Sequence, residues 1–270
     1  MSRKIALQVY SVRDYAEKDL KDTLAKIKDM GYDGVEFAGG LYGNDPAVVK
    51  AWCEELGLIP ISGHLSTPLL REKPELMEAY AQVGCQYLVM SSPDYDMMPW
   101  TERAEEFYEF IRGIGKRAKD LGMQFCFHNH DADLKPMNGT TGMDVLYDNI
   151  DPDLLQTELD LCWVYSAGHD PVVYINKYKD RSRIIHCKDS NGRYREVYYK
   201  WHGGDYEQIK KTLGEFEFRP VGHGMLSYPA IMKAIDNTDI EWLIVEQDRP
   251  NDGLTSLECA AKSVDYLRSF

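Results

Sequence analysis

No signal-peptide core follows Met1-Ser2-Arg3-Lys4, and no apolar run approaches the roughly 20 residues that a bilayer span needs. Those two absences point to a cytoplasmic protein with no membrane partner. Basic residues are scarce: 31 Lys and Arg stand against 44 Asp and Glu, a formal net charge of −13. Such a field opposes phosphate-backbone binding, so nucleic acid is not an expected partner. The cysteines, Cys53, Cys85, Cys126, Cys162, Cys187 and Cys259, form no C-x-x-C pair, and buried free thiols are expected in place of a disulfide framework. There is no linker rich in Pro, Gly or Ser and no low-complexity tract, which predicts one domain over residues 1–270. A Gly-rich phosphate fingerprint after the first strand, the mark of an open dinucleotide-binding sheet, is missing as well.

What is present is a rhythm. Eight short apolar runs, at 5–9, 34–37, 59–64, 87–90, 124–128, 155–159, 183–187 and 242–246, alternate with longer amphipathic stretches. Leu20, Leu24, Ile27 and Met30 have helical spacing, and Pro46, Pro74 and Pro171 stand where a helix opens. Helices are predicted over 20–30, 46–56, 74–84, 101–121, 144–150, 171–178, 228–235 and 254–267. Eight strands each followed by a helix predict an α/β chain folded as a single (β/α)8 TIM barrel. The stretch 190–222 lacks a clear period and is read as an irregular insertion or active-site loop between strands 7 and 8.

In such a barrel the C-terminal strand ends face the substrate, and here they are unusually polar. They carry Glu36, His64, His128 with His130, Glu158 with Asp160, His186 with Lys188 and Asp189, and Glu246 with Asp248. Charged groups at a barrel mouth must be paired or bind a metal to offset their desolvation. A mixed set of His, Asp and Glu suits one divalent ion, manganese ahead of zinc, cobalt or magnesium.

The chain carries, in this order, Gly31-Tyr32-Asp33-Gly34-Val35-Glu36, Phe127-His128-Asn129-His130-Asp131, Asp160-Leu161-Cys162-Trp163, His186-Cys187-Lys188-Asp189 and Val245-Glu246-Gln247-Asp248. The order of these pieces resembles the xylose isomerase-like barrels, the sugar phosphate isomerases/epimerases that include tagatose and psicose epimerases and inosose dehydratase. The resemblance covers nearly the whole chain. It implies a metal held by Asp160, His186 and Glu246, with a histidine where the family's epimerases place a first Glu. His128 stands at that position and His130 follows two residues on, so either can complete the shell; His130 is taken as the fourth ligand and His128 as an acid–base group.

The resemblance further implies an isomerase or epimerase that removes a proton next to the carbonyl of a sugar or keto-sugar. Glu246 is the expected base, and Lys188 is expected to polarise a carbonyl. Glu36, His64, Trp163 and Arg193 are expected to contact the substrate. Exchange of a carboxylate for histidine makes the site asymmetric, so a dehydratase or lyase acting on a keto-sugar or inosose is the alternative. A non-catalytic sugar-binding barrel is the reading from another class. The expected partner is a small sugar, with self-association left open.

Overall fold

The computed structural model describes residues 3–192, 215–251 and 253–270. Eight parallel strands line up as β1 (Lys4–Gln8), β2 (Gly34–Ala38), β3 (Ile59–Leu65), β4 (Tyr87–Met90), β5 (Gln124–His128), β6 (Gln156–Asp160), β7 (Ser182–Cys187) and β8 (Trp242–Val245). They close into a barrel, with β1 paired to β2 on one side and to β8 on the other. The intervening helices are α1 (Leu20–Asp29), α2 (Pro46–Leu56), α3 (Glu75–Val83), α4 (Ala104–Asp120), α5 (Gly142–Asn149), α6 (Pro171–Tyr178), α7 (Tyr228–Ile235) and α8 (Ser256–Leu267). This is the predicted (β/α)8 order. Among the described residues no helix is long and apolar enough to cross a membrane.

Local chemistry explains the element ends. Asp45 caps α2 by accepting from the Ala47 N–H, Pro46 supplies the first helical φ, and Gly57, at φ 64°, stops the helix in a conformation that disfavours any Cβ. Helix α4 buries Phe107, Ile111, Ile114 and Ala118 on one stripe, and it packs on β5.

The barrel interior is divided by height. Ala6, Ile61, Tyr87, Val89, Cys126, Ile184, Trp242 and Ile244 form a separate apolar cluster inside the lower lumen. Strand side chains alternate with a period of two, so the next inward positions above Ala6, Cys126, Ile184 and Ile244 are Gln8, His128, His186 and Glu246. The same face that fills the floor with hydrocarbon therefore carries polar groups at the mouth.

Several short elements go beyond the predicted pattern, among them the helix Arg13–Ala16 after β1. A short helix, Thr67–Glu72, follows β3, another, Leu161–Ser166, follows β6, and two-residue strands pair Pro136–Met137 with Thr140–Thr141. In the irregular region, Asp189–Ser190 pairs antiparallel with Phe218–Arg219, and residues 193–214 lie outside the described set.

Candidate active site

At the mouth, four donors from consecutive strands converge: His128 at the end of β5, Asp160 at the end of β6, His186 in β7 and Glu246 one residue past β8. Their facing atoms all lie within 4.8 Å of one another, and all four side chains are buried. His128 Nε2 is 3.8 Å from Asp160 Oδ2, and His186 Nδ1 is 3.2 Å from Glu246 Oε2. Asn129 braces the arrangement: its amide accepts from the Asp160 N–H at 2.9 Å and donates to the Asp160 carbonyl at 3.3 Å. Asp160 Oδ1 in turn accepts from the Trp163 N–H, capping the helix Leu161–Ser166, while Oδ2 is buried with no hydrogen-bond donor among the described residues.

Lys188 is only 1% exposed, so its charge must be matched inside the protein. Its Nζ lies 2.8 Å from Glu246 Oε2, 3.2 Å from Asp248 Oδ2 and 3.8 Å from Asp160 Oδ2. Asp189, next in the chain, instead accepts from the N–H groups of Ser190, Gly222, Gly224 and Leu226 and so anchors the loop after β7.

Beneath the mouth lies a second layer made by Glu36, His64 and Glu158. Glu158 Oε2 faces three imidazoles: His64 Nε2 at 2.6 Å, His128 Nδ1 at 3.1 Å and His186 Nε2 at 3.2 Å. Glu36 Oε1 accepts from Gln8 Nε2 at 2.7 Å and faces His186 Nε2 at 2.7 Å and His64 Nε2 at 3.0 Å, while Ser62 donates to its Oε2. Strand register shifts beside each deep acid, with the extra residue on the neighbouring strand: Ile61 of β3 opposite Val35–Glu36, and Arg183 of β7 opposite Thr157–Glu158.

The charges follow from burial and neighbours. Burial opposes ionisation of Glu36 and Glu246, yet His64 and His186 hold Glu36, and Lys188 and His186 hold Glu246, well below the usual carboxylate range. Burial raises Asp160 to about 6, partly offset by Lys188 and His186. Burial and the Glu36 charge raise Glu158 to about 7. Against their own burial, His64 is raised to about 10 by Glu36 and Glu158, and the same two acids raise His186. His128 and His130 go the other way: burial and nearby cations lower both, His130 to about 3. These two imidazoles are therefore neutral, the form that ligates metal or accepts a proton.

A cavity of about 440 Å³ opens above the cluster, lined by Gln8, His64, His128, His130, Lys188, Glu246 and Asp248 on the inner side. Tyr10, Ser66, Leu69, Ser91 and Ser92 line its outer side. The structure thus brings Asp160, His186 and Glu246 together with His128. His130 stands outside that group because β5 ends at His128 and the chain then turns: the His130 N–H donates to Asp133 Oδ2 at 2.7 Å, opening the turn Asp131–Leu134. Its ring rests on the cavity wall, 5.6 Å from Trp163, with Nδ1 buried and lacking a hydrogen-bond partner among the described residues. His64 reaches the cavity. Glu36 lies beneath it, and Trp163 packs behind His130 and Lys188. Arg193 lies outside the described residues. The deep role of Glu158 was not assigned from sequence, although its place two residues before Asp160, on the same strand face, was the available signal.

Two imidazoles and two carboxylates, with one oxygen orphaned by burial, are a donor set that fits a divalent cation. A closed parallel barrel with such a cluster under a cavity at its C-terminal mouth defines the class: a barrel enzyme with a metal-capable mouth. The chain belongs to the xylose isomerase-like TIM barrel family, whose sequence profile matches residues 24–270. It is 25% identical over 274 residues to an inosose dehydratase of Lacticaseibacillus casei, an alignment covering 93% of this chain and 89% of that protein. A solved sugar phosphate isomerase/epimerase from Parabacteroides distasonis superposes with a TM-score of 0.79 at 23% identity, covering 100% of this chain and 97% of the other. The 3-keto-D-glucoside 4-epimerase of E. coli superposes at 0.71 with 16% identity and complete coverage of both chains. The relatives are sugar-processing enzymes, dehydratases and epimerases among them.

Proposed function

We propose that the protein is a divalent-metal-dependent enzyme that removes a proton next to the carbonyl of a small keto-sugar and acts as an isomerase or epimerase. The observation that carries this reading is the convergence of His128, Asp160, His186 and Glu246 directly beneath the cavity. Those four would hold the cation, manganese first, which when bound supplies stabilisation for negative charge developing beside the carbonyl. Glu246, kept anionic by Lys188 and His186, takes the substrate proton. His130, neutral and lining the same cavity, offers a second proton-handling group of different chemistry. Lys188 holds Glu246 in place and presents a positive charge to substrate oxygen.

Dehydration is the second reading, and one feature favours it. Lys188, a cation, sits 2.8 Å from Glu246, so a base and an acid stand side by side on one wall. Glu246 would take the proton beside the carbonyl while Lys188 donates one to the departing hydroxyl, which leaves as water. The inosose dehydratase relative supports the same outcome.

Incubation with an inosose and manganese in deuterium oxide tests the proposal. Wild type is expected to exchange the carbon-bound hydrogen next to the carbonyl, and Glu246→Gln to slow that exchange by about 10²–10⁴-fold. Mass spectrometry separates the readings, since epimerisation changes the mass only by the deuterium taken up and dehydration loses one water. Full turnover by metal-stripped protein, or unchanged exchange in Glu246→Gln, defeats both.

A further inference from the structure

The two histidines of the mouth cluster each face two ways. His128 turns Nε2 toward Asp160 and Nδ1 toward Glu158; His186 turns Nδ1 toward Glu246 and Nε2 toward Glu36. An imidazole that ligates through one nitrogen must carry its proton on the other, and a carboxylate there fixes both tautomer and ring orientation. Resting on the proposed metal reading, we infer that Glu158 and Glu36 are positioning residues: Glu158 accepts the His128 Nδ1 proton and Glu36 the His186 Nε2 proton. Each mouth-facing nitrogen is thereby left as a lone pair for the cation.

The deep layer is built for that task. Both acids are fully buried, and His64 Nε2 lies between them at 3.0 and 2.6 Å, tying the two carboxylates to each other. Gln8 and Ser62 saturate the Glu36 carboxylate further, so it is oriented before any cation arrives. Glu158, His64, His128 and His186 also lie close enough together to be ligands themselves. Yet the nitrogens of His128 and His186 in that group are the very ones opposite the mouth. A second cation there would need both rings to bridge two metals.

The test is cation binding by the metal-stripped full chain, titrated with Mn²⁺ by calorimetry. Wild type is expected to bind one equivalent, and Asp160→Asn to lose it; if wild type binds none, the metal reading itself fails. With that established, Glu158→Gln and Glu36→Gln are expected to bind one equivalent about 10–100-fold more weakly. Glu158→Asp should recover part of the loss. Unchanged affinity in both Gln variants overturns the inference and leaves the metal reading standing. Two equivalents in wild type, the second lost in Glu158→Gln, overturns it by making the deep layer a cation site. Should the variants fail to fold, ¹⁵N spectra of histidine in the Zn²⁺-loaded wild type decide: protons on His128 Nδ1 and His186 Nε2 are expected, and the opposite tautomer on either ring refutes the assignment.

Discussion

Gly63 has no room for a side chain. A Cβ there would fall 2.3 Å from the Tyr80 ring, and Tyr80 is fully buried, its hydroxyl accepting from the Gly40 N–H at 2.9 Å. Gly63→Ala is expected to cost about 1–3 kcal/mol through overpacking, read as a lower denaturant midpoint at unchanged slope; an unmoved midpoint contradicts it. Protonation at single residues also sets how metal binding depends on pH. In the metal-free site Glu158 and Glu36 raise His186 well above the usual imidazole range, and Asp160 gains a proton as pH falls through about 6. Both protons must leave before these groups ligate, so affinity drops on the acid side. The fall is expected to steepen below about pH 6, where Asp160 gains its proton as well. Calorimetry from pH 5 to 8 measures this, and a flat profile refutes the proton competition.

Asp144 shows how one side chain secures a whole helix. It completes the capping box of α5 with Thr141, accepts from Thr140 Oγ1 at 2.7 Å and from the Tyr178 hydroxyl, and pairs with Lys177 Nζ at 2.7 Å, joining α5 to α6. Burial alone would raise its carboxyl, but Lys177, Tyr178 and the two threonines hold it at about 2. A folded value below the unfolded one, near 3.9, means that the stabilisation is complete above about pH 4 and fades as pH falls toward 2. Asp144→Asn is therefore expected to lower stability by about 1 kcal/mol at pH 7 and to converge on wild type near pH 2. A deficit that persists in acid would contradict the charge-based account. Elements were legible in the sequence where such signals exist: α2 and α6 begin and end as predicted because Pro, an Asp cap and apolar spacing coincide, and α7 because Pro and apolar spacing do. Thr67–Glu72 and the strand pair Asp189–Ser190 with Phe218–Arg219 were not, since so few residues carry no period. The convergence of Asp160, His186 and Glu246 follows from strand ends meeting in any closed barrel. The deep layer does not, because the pairing of Glu36 and Glu158 with His64, His128 and His186 joins side chains from five strands, which no local pattern encodes.

At the scale of the whole molecule the barrel is closed by contacts between chain ends. Pairing of β1 with β8 seals the sheet, the Tyr32 hydroxyl donates to the Ala260 carbonyl at 2.8 Å, and Arg268 reaches Asp33 at 2.6 Å. The mouth adds a different kind of closure, because its four donors sit on β5, β6, β7 and at the end of β8, the last four strands. Without a cation, two carboxylates in this cluster face each other inside a chain whose formal net charge is already −13. A cation bound only by the folded form stabilises it by RT ln(1 + [L]/Kd), about 4 kcal/mol at a thousandfold excess over Kd. For a chain of this length that corresponds to a rise of several degrees in the thermal midpoint. Metal-stripped wild type is expected to melt several degrees below the manganese-loaded protein, with the gap growing logarithmically with manganese concentration. Asp160→Asn is expected to melt at the same temperature with and without the ion. If wild type shows no gap, or if Asp160→Asn keeps the full one, the cation does not join these strands and the mouth of the barrel is held by its ion pairs alone.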